Sequence, residues 1–168
     1  FAIYQLDFSN LHKWVNLGSS SSPNYQSQNA KFRNLGLELE YSRSIKGGWG
    51  YSFGAMYGKP ESKSEGADWV QSASQLQLNA GVNYKKGKWT GNIAATYVGM
   101  RPQFSSSSGY TGNVPASIQA NLSLSYDFTK NTQLALRVEN LFDRIDYTND
   151  SAYITPGRAF YLKLTQKF

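Results

Sequence analysis

The chain has 168 residues, 40% of them hydrophobic and 15% aromatic, and no cysteine, so it is long enough for one domain-sized unit and carries neither a disulfide framework nor a thiolate metal site. Its apolar residues are spread thinly, and no run approaches the roughly 20 residues of a membrane-crossing helix, which excludes a helical membrane protein. The net charge of +6 rests largely on lysines at turns and at the chain end (Lys46, Lys85, Lys86, Lys88, Lys130, Lys167), not on one face interleaved with aromatics, which argues against a nucleic-acid partner.

Taken in order, the chain reads as eight strands. Phe1 to about Phe8 sets Tyr4, Leu6 and Phe8 against Gln5 and Asp7 and continues less regularly from Leu11 to Val15. A serine-rich stretch, Gly18 to Gln28, reads as a loop. From about Ala30 to Ser44, Leu35, Leu37, Leu39 and Tyr41 oppose Asn34, Gly36, Glu38 and Glu40. Lys46-Gly47-Gly48 predicts a hairpin turn, since glycine accepts positive φ. Trp49, Tyr51, Phe53, Ala55 and Tyr57 then alternate with small residues, and a polar connection runs from about Lys59 to Gln71.

Leu76, Leu78, Ala80, Val82 and Tyr84 form the fourth strand, Lys85-Lys86-Gly87 a turn, and Trp89, Ile93, Ala95 and Tyr97 the fifth. After a third long loop, Arg101 to Val114, the residues Ala116, Ile118, Ala120, Leu122, Leu124, Tyr126 and Phe128 face away from Ser117, Gln119, Asn121, Ser123, Ser125 and Asp127. Thr129-Lys130-Asn131 turns the chain into Leu134, Leu136 and Val138, and Asn140 to Gly157 is the last long loop. In the closing segment, Ala159 to Phe168, Phe160, Leu162, Leu164 and Phe168 share a face against Tyr161, Lys163, Thr165 and Lys167.

Alternation alone fits either a soluble antiparallel sheet or a transmembrane barrel, whose strands run apolar-out and polar-in. Two regularities favour the barrel. Short turns gather at one end and long loops at the other, and aromatics collect at the ends of the apolar face. Tyr41, Trp49, Tyr84, Trp89, Tyr126, Phe128 and Phe168 mark the short-turn end, and Tyr57 and Tyr97 the other. The opposite face carries Ser, Gln, Asn, Gly and Thr, a lining suited to a wide wet lumen or to one filled by another polar element.

The C-terminal residues Asn140-Leu141-Phe142-Asp143-Arg144, Tyr147, Tyr153, Pro156-Gly157-Arg158-Ala159-Phe160-Tyr161-Leu162 and the final Phe168 resemble the C-terminal signature of TonB-dependent outer-membrane receptors. Asn34-Leu35-Gly36-Leu37-Glu38-Leu39-Glu40 is similar to a strand these barrels carry earlier. The resemblance implies an all-β, antiparallel transmembrane β-barrel of about 22 strands around a plug. It also implies import of a scarce nutrient such as a ferric siderophore, haem or cobalamin, powered through TonB. Eight strands without a plug domain or a TonB box imply that residues 1–168 are the C-terminal part of such a barrel, either processed or cut from a longer chain that opens before Phe1. The implied location is the outer membrane of a Gram-negative bacterium. The implied partners are outer-membrane lipid and lipopolysaccharide, the remaining strands and plug, TonB through the missing N-terminal part, and the barrel assembly machinery.

Further expectations follow from the residues and, for Asn140, Arg158 and the assembly signal of the last strand, from the resemblance. The single histidine, His12, lacks a nucleophile or carboxylate at a convincing spacing, so no catalytic residue, metal site or cofactor is expected. Glu38 and Glu40 share the polar face and read as members of a salt-bridge network with Arg33, Arg137 or a plug residue, while Asn140 and Arg158 read as structural partners of the last hairpin. Ligand contacts are expected at the long-loop end, from Trp69, Arg101, Tyr110, Arg144 and Tyr147, whose aromatic and cationic groups suit an anionic or aromatic chelate. Phe160, Leu162, Leu164 and Phe168 read as the assembly signal of the last strand. Two rival readings are a self-contained eight-stranded barrel serving as anchor or adhesin, in which the Phe1 strand pairs with the Phe168 strand, and a soluble β-sandwich.

Overall fold

The computed structural model describes residues 1–19, 21–105, 109–146 and 155–168, with backbone alone for 104, 105 and 109–111. The described residues hold twelve strands. They are β1 (Ala2–Asn16), β2 (Tyr25–Ser44), β3 (Trp49–Gly58), β4 (Glu61–Ser64), β5 (Val70–Gln71), β6 (Leu76–Lys86), β7 (Trp89–Val98), β8 (Arg101–Ser105), β9 (Gly109–Val114), β10 (Ser117–Asp127), β11 (Thr132–Glu139) and β12 (Ala159–Gln166). Eight of them, β1, β2, β3, β6, β7, β10, β11 and β12, are the staves expected from alternation, each antiparallel to the next along the chain. The other four lie inside stretches read as loops. β8 and β9 form a separate hairpin, and β4 prolongs β3 along β2. Gly36 opposes Gly58 and Arg33 opposes Glu61, three residues further along each strand, so β4 keeps the register of β3. Pro60 alone interrupts the ladder there, because it has no N–H to give.

β1 and β2 also run longer than their alternation suggests. Pairing continues to Asn16 and Tyr25, leaving only residues 17–24 as the connection. A β-bulge interrupts β1 between Phe8 and Leu11, where Asn10 takes φ 64°, a conformation asparagine tolerates.

The register corrects one face assignment. Ile3 stands opposite Leu37 and Gln5 opposite Leu35, so Tyr4, Leu6 and Phe8, opposite Gly36, Asn34 and Phe32, lie on the polar side of the sheet. The apolar look of these three residues would put them with Leu35 and Leu37. Pairing with β2 decides otherwise, since a one-residue slip exchanges the two faces of a strand.

Across the remaining staves the apolar rungs run continuously. Ala55, Leu78, Tyr97 and Ile118 form one row; Tyr51, Val82, Ile93, Leu122, Val138 and Phe160 form another. The short-turn end is ringed by aromatic contacts, Trp49 on Tyr84 at 4.6 Å, Trp89 on Tyr126 at 4.7 Å and Tyr126 edge-on to Phe128 at 5.0 Å between ring centroids.

That end is also laced from turn to turn. The Lys85 N–H donates to the Gly48 carbonyl at 2.7 Å, the Asp127 N–H to Lys88 at 2.9 Å, and the Lys167 N–H to Asn131 at 2.8 Å. Gly48 sits at φ 90°, and a Cβ there would fall 2.1 Å from the Lys85 carbonyl oxygen, so both its backbone and its neighbour require glycine.

The sheet has almost no core of its own. Ala30, Val114, Ala120 and Val138 are the buried apolar residues among those described, while Leu35, Leu37, Leu39, Phe53, Tyr57, Leu162 and Leu164 are all exposed. A soluble sandwich would lay a second sheet over that face, and the described residues supply none. β1 pairs only with β2 and β12 only with β11, so the sheet is open, as a portion of a larger barrel is, and the closure required by the eight-stranded reading is absent.

Candidate functional site

Two surfaces can carry function, the polar face of the staves and the rim where the long connections meet. The polar face is wet by construction. Thr96 Oγ1 donates to Asn79 Oδ1 (3.1 Å), Gln133 Nε2 to Asp127 Oδ1 (2.8 Å) and the Tyr161 hydroxyl to Glu139 Oε2 (3.3 Å), while Ser123, Ser125 and Lys163 line a hollow beside them. These are short polar links with open space between them, not a packed interior.

The expected network around Glu38 and Glu40 is not the observed one. Arg33 is on the other face and pairs with Glu61, and Arg137 pairs with Glu139 along its own strand. Among the described residues neither Glu38 nor Glu40 has an ion-pair partner. Both carboxylates therefore project from the polar face, opposite Met56 and Gly54 of β3.

At the rim, Asn140 anchors the last long loop. It is 6% exposed and holds φ 50°. Its Nδ2 donates to the carbonyl oxygens of Arg144 (2.6 Å) and Pro156 (2.9 Å), its Oδ1 accepts the Arg144 N–H (3.1 Å), and its own N–H donates to Asn121 Oδ1 (3.0 Å). The side-chain amide thus ties both ends of the last long loop together, and the backbone N–H of the same residue ties them to β10. Asp143 completes the clasp, its Oδ1 accepting the Arg158 N–H at 2.8 Å and its Oδ2 lying 3.9 Å from the Arg158 guanidinium. The Asn-Leu-Phe-Asp and Pro-Gly-Arg elements are two halves of this turn, which places Asn140 and Arg158 as structural partners.

Of the five residues expected at a ligand surface, Trp69, Arg101 and Arg144 are described with their side chains. Trp69 lies beneath the Arg33 guanidinium, 4.2 Å from it to the ring centroid, and Arg33 shares its face with Leu35 and Leu37. Trp69 is therefore set against the apolar side of the sheet, not over the polar wall. Arg101 opens β8 opposite Val114. Tyr110 is in β9, where only the backbone is described, and Tyr147 lies outside the described residues. Arg144 is committed to the loop clasp, and its Nη2 donates to Asp146 Oδ1 at 3.1 Å. From the β11–β12 connection to β2 the sheet crosses β10, β7, β6 and β3, on the order of 25 Å at the usual strand spacing.

The ion pair beside Trp69 was not legible in sequence. Glu61 accepts from Arg33 Nε at 2.8 Å and lies 3.3 Å from Lys59 Nζ. Arg33 foremost, and Lys59 with it, hold the Glu61 carboxyl below its ordinary value despite the opposing effect of desolvation. The folded value lies below the unfolded one, so the stabilisation is complete above the unfolded value and fades as pH falls through the folded one. Amide protection factors across β4 are expected to stay level from neutral pH down to the ordinary glutamate range, about 4.3, and to drop only below it. A drop beginning near neutral pH would contradict the pairing.

Among the described residues, no cluster of three or more His, Asp or Glu could hold a metal ion. His12 Nδ1 lies 3.2 Å from Ser27 Oγ, on exposed strand surface. No helix of the described residues is long and apolar enough to cross a membrane.

Comparison with known proteins gives the architecture a family. Residues 1–141 match the model of the TonB dependent receptor-like β-barrel. Among solved structures, the chain superposes on the copper transporter OprC (TM-score 0.75, 19% identity, 99% of this chain and 28% of that one). It also superposes on the ferripyoverdine receptor of the outer membrane of Pseudomonas aeruginosa (0.72, 18%, 99% and 24%) and the ferric citrate transporter FecA (0.73, 20%, 99% and 28%). The chain spans about a quarter of the length of these proteins, and at such identities the likeness is one of fold. No curated protein matches by sequence.

Proposed function

The chain belongs to the TonB-dependent receptor-like β-barrel family, and from that premise we propose that it forms the C-terminal strands of an outer-membrane receptor importing a scarce nutrient, such as a ferric siderophore, haem or cobalamin. Its share of the task is to wall a plugged lumen with the polar face, to meet lipid with the apolar face, and to present long connections to the outside. The observation that carries this reading is the pairing of a continuous exposed apolar band with a wet opposite wall on one open sheet. Further strands of the same receptor pair along β1 and β12, because unpaired edges are prohibitive in lipid. The plug occupies the polar side, TonB engages the receptor through its N-terminal part, and the barrel assembly machinery reads Phe160, Leu162, Leu164 and Phe168. Arg101, Tyr110, Arg144 and Tyr147 belong to the outer ligand rim, with Trp69 on its lipid side.

The test is uptake by whole cells of a Gram-negative host, with and without the full-length receptor, of a panel of radiolabelled ferric chelates, haem and cobalamin. The reading expects receptor-dependent uptake of at least one of them, abolished when the proton gradient is collapsed. A receptor present in the outer membrane that supports uptake of none would favour the anchor or adhesin role instead.

A further inference from the structure

The polar wall is not electrically uniform. On β2, Glu38 and Glu40 stand opposite Met56 and Gly54 and have no ion-pair partner among the described residues. The same side of β3, β6 and β7 continues from them with uncharged groups, Gln77 and Val98 beyond Met56, Asn79 and Thr96 beyond Gly54. β12 is six strands along the sheet from β2, roughly 29 Å at the usual spacing, and there the balance is reversed.

Arg137 pairs with Glu139 Oε1, and Glu139 Oε2 accepts the Tyr161 hydroxyl at 3.3 Å, so this carboxylate is engaged through both oxygens. Asp127, nearer the turns, accepts from Gln133 at 2.8 Å. Lys163 has no ion-pair partner among the described residues. One rung holds Ser125, Ala135 and Lys163 side by side, and the short side chain of Ala135 leaves the floor of a hollow of about 620 Å³ that Ser123, Arg137 and Tyr161 also border. An ammonium, a guanidinium with donors beyond its one ion pair, and serine hydroxyls make a donor set for carboxylate or phenolate oxygens.

The hollow opens to the polar side of the sheet. Its volume lies within the range of small-molecule sites and exceeds what a single side chain fills. In a channel with low-dielectric walls, charges of one sign on one flank focus the field across the opening. An anion is repelled from Glu38 and Glu40 and drawn towards Lys163.

We propose that this hollow is a way-station on the inner wall for an anionic chelate in transit, with Lys163 receiving one of its carboxylate or phenolate oxygens, so that the cargo descends along β10–β12 and not along β2–β3. The inference rests on the uptake reading given above and narrows its cargo to an anion.

Two measurements on the full-length receptor in whole cells test it. In the uptake panel, the imported member is expected to be an anionic chelate such as ferric citrate or a ferric tris-catecholate. Lys163→Glu should lower its uptake about tenfold, and Lys163→Arg should rescue it. Import confined to neutral cargo, a ferric trihydroxamate or cobalamin, overturns the proposal, as does full uptake by Lys163→Glu. Single cysteines at Ala135 and at Gly54, where a Cβ meets only ordinary contacts, in a receptor otherwise free of cysteine, then report the field directly. The ratio of reaction rates with anionic sulfonatoethyl and cationic trimethylammonioethyl methanethiosulfonate should be about tenfold higher at Ala135→Cys than at Gly54→Cys, and Lys163→Gln should erase the difference. Equal ratios, or a difference that survives Lys163→Gln, overturn the proposal. No reaction at Ala135→Cys in energised cells overturns it too, and makes the hollow a permanent seat for the plug. Heat-modifiable migration on gels reports that each variant is folded. A receptor that imports nothing, or is missing from the outer-membrane fraction, overturns the uptake reading itself and is told apart from these outcomes before any variant is made.

Discussion

Leu162→Arg is expected to cost the folded receptor about 2–4 kcal/mol in a bilayer, the penalty of an arginine on the lipid face near mid-membrane. Leu162 is 73% exposed, opposite Leu136, in a row that continues through Leu124. Leu164 is one rung nearer the short turns, in the row of Leu134, Tyr126 and Trp89 that belongs to the aromatic ring, so Leu164→Arg should cost less. Lys163→Arg, between them on the polar side opposite Ala135, should stay within about 0.5 kcal/mol of the parent. Guanidinium unfolding of the receptor from phospholipid vesicles gives the three values. Equal effects of Leu162→Arg and Lys163→Arg would mean that the two faces are exchanged.

Asn140→Ala is the second substitution with a large expected effect, roughly 2–4 kcal/mol against the ordered last loop. It strips the partner from the carbonyls of Arg144 and Pro156 and from the Arg144 N–H, and leaves alanine at φ 50°. Asn140→Gly separates the two contributions, because glycine accepts the backbone conformation but restores no hydrogen bond. Asn140→Asp keeps the acceptor and loses both donated bonds. The expected order of amide protection for residues 140–146 is parent, then Asp and Gly, then Ala. Full protection in Asn140→Ala would show that the backbone of this loop holds itself.

These two sites differ in how far the sequence discloses them. The lipid face of β12 is legible because one physical demand, an apolar surface against hydrocarbon, acts on every second residue of the whole strand. The same demand makes all eight staves and both aromatic ends readable. It lapses outside the membrane, where the outward surface must be polar. Gln5 and Asp7 are outward there and Tyr4, Leu6 and Phe8 inward, and alternation alone assigns them the wrong way round. For the same reason β4, β5, β8 and β9 pass for loops, since short polar strands in water carry no periodic signal. The rim residues depend on partners distant in sequence. Nothing in Trp69 announces Arg33, and nothing in Glu38 and Glu40 reveals that Arg33 and Arg137 are already engaged elsewhere.

The central claim is that one face of this sheet meets lipid and the other meets water, and β12 is where it is tested most directly. The chain contains no cysteine, so single cysteines placed in turn at residues 159–168 of the full receptor, otherwise free of cysteine, can carry a spin label at each position. Collision with oxygen, which partitions into hydrocarbon, and with a water-soluble nickel chelate should alternate with a period of two. Labels at Phe160, Leu162 and Leu164 are expected to favour oxygen, and labels at Tyr161, Lys163 and Thr165 the chelate. Uniform access to the chelate on both sets, or the opposite alternation, would contradict the account.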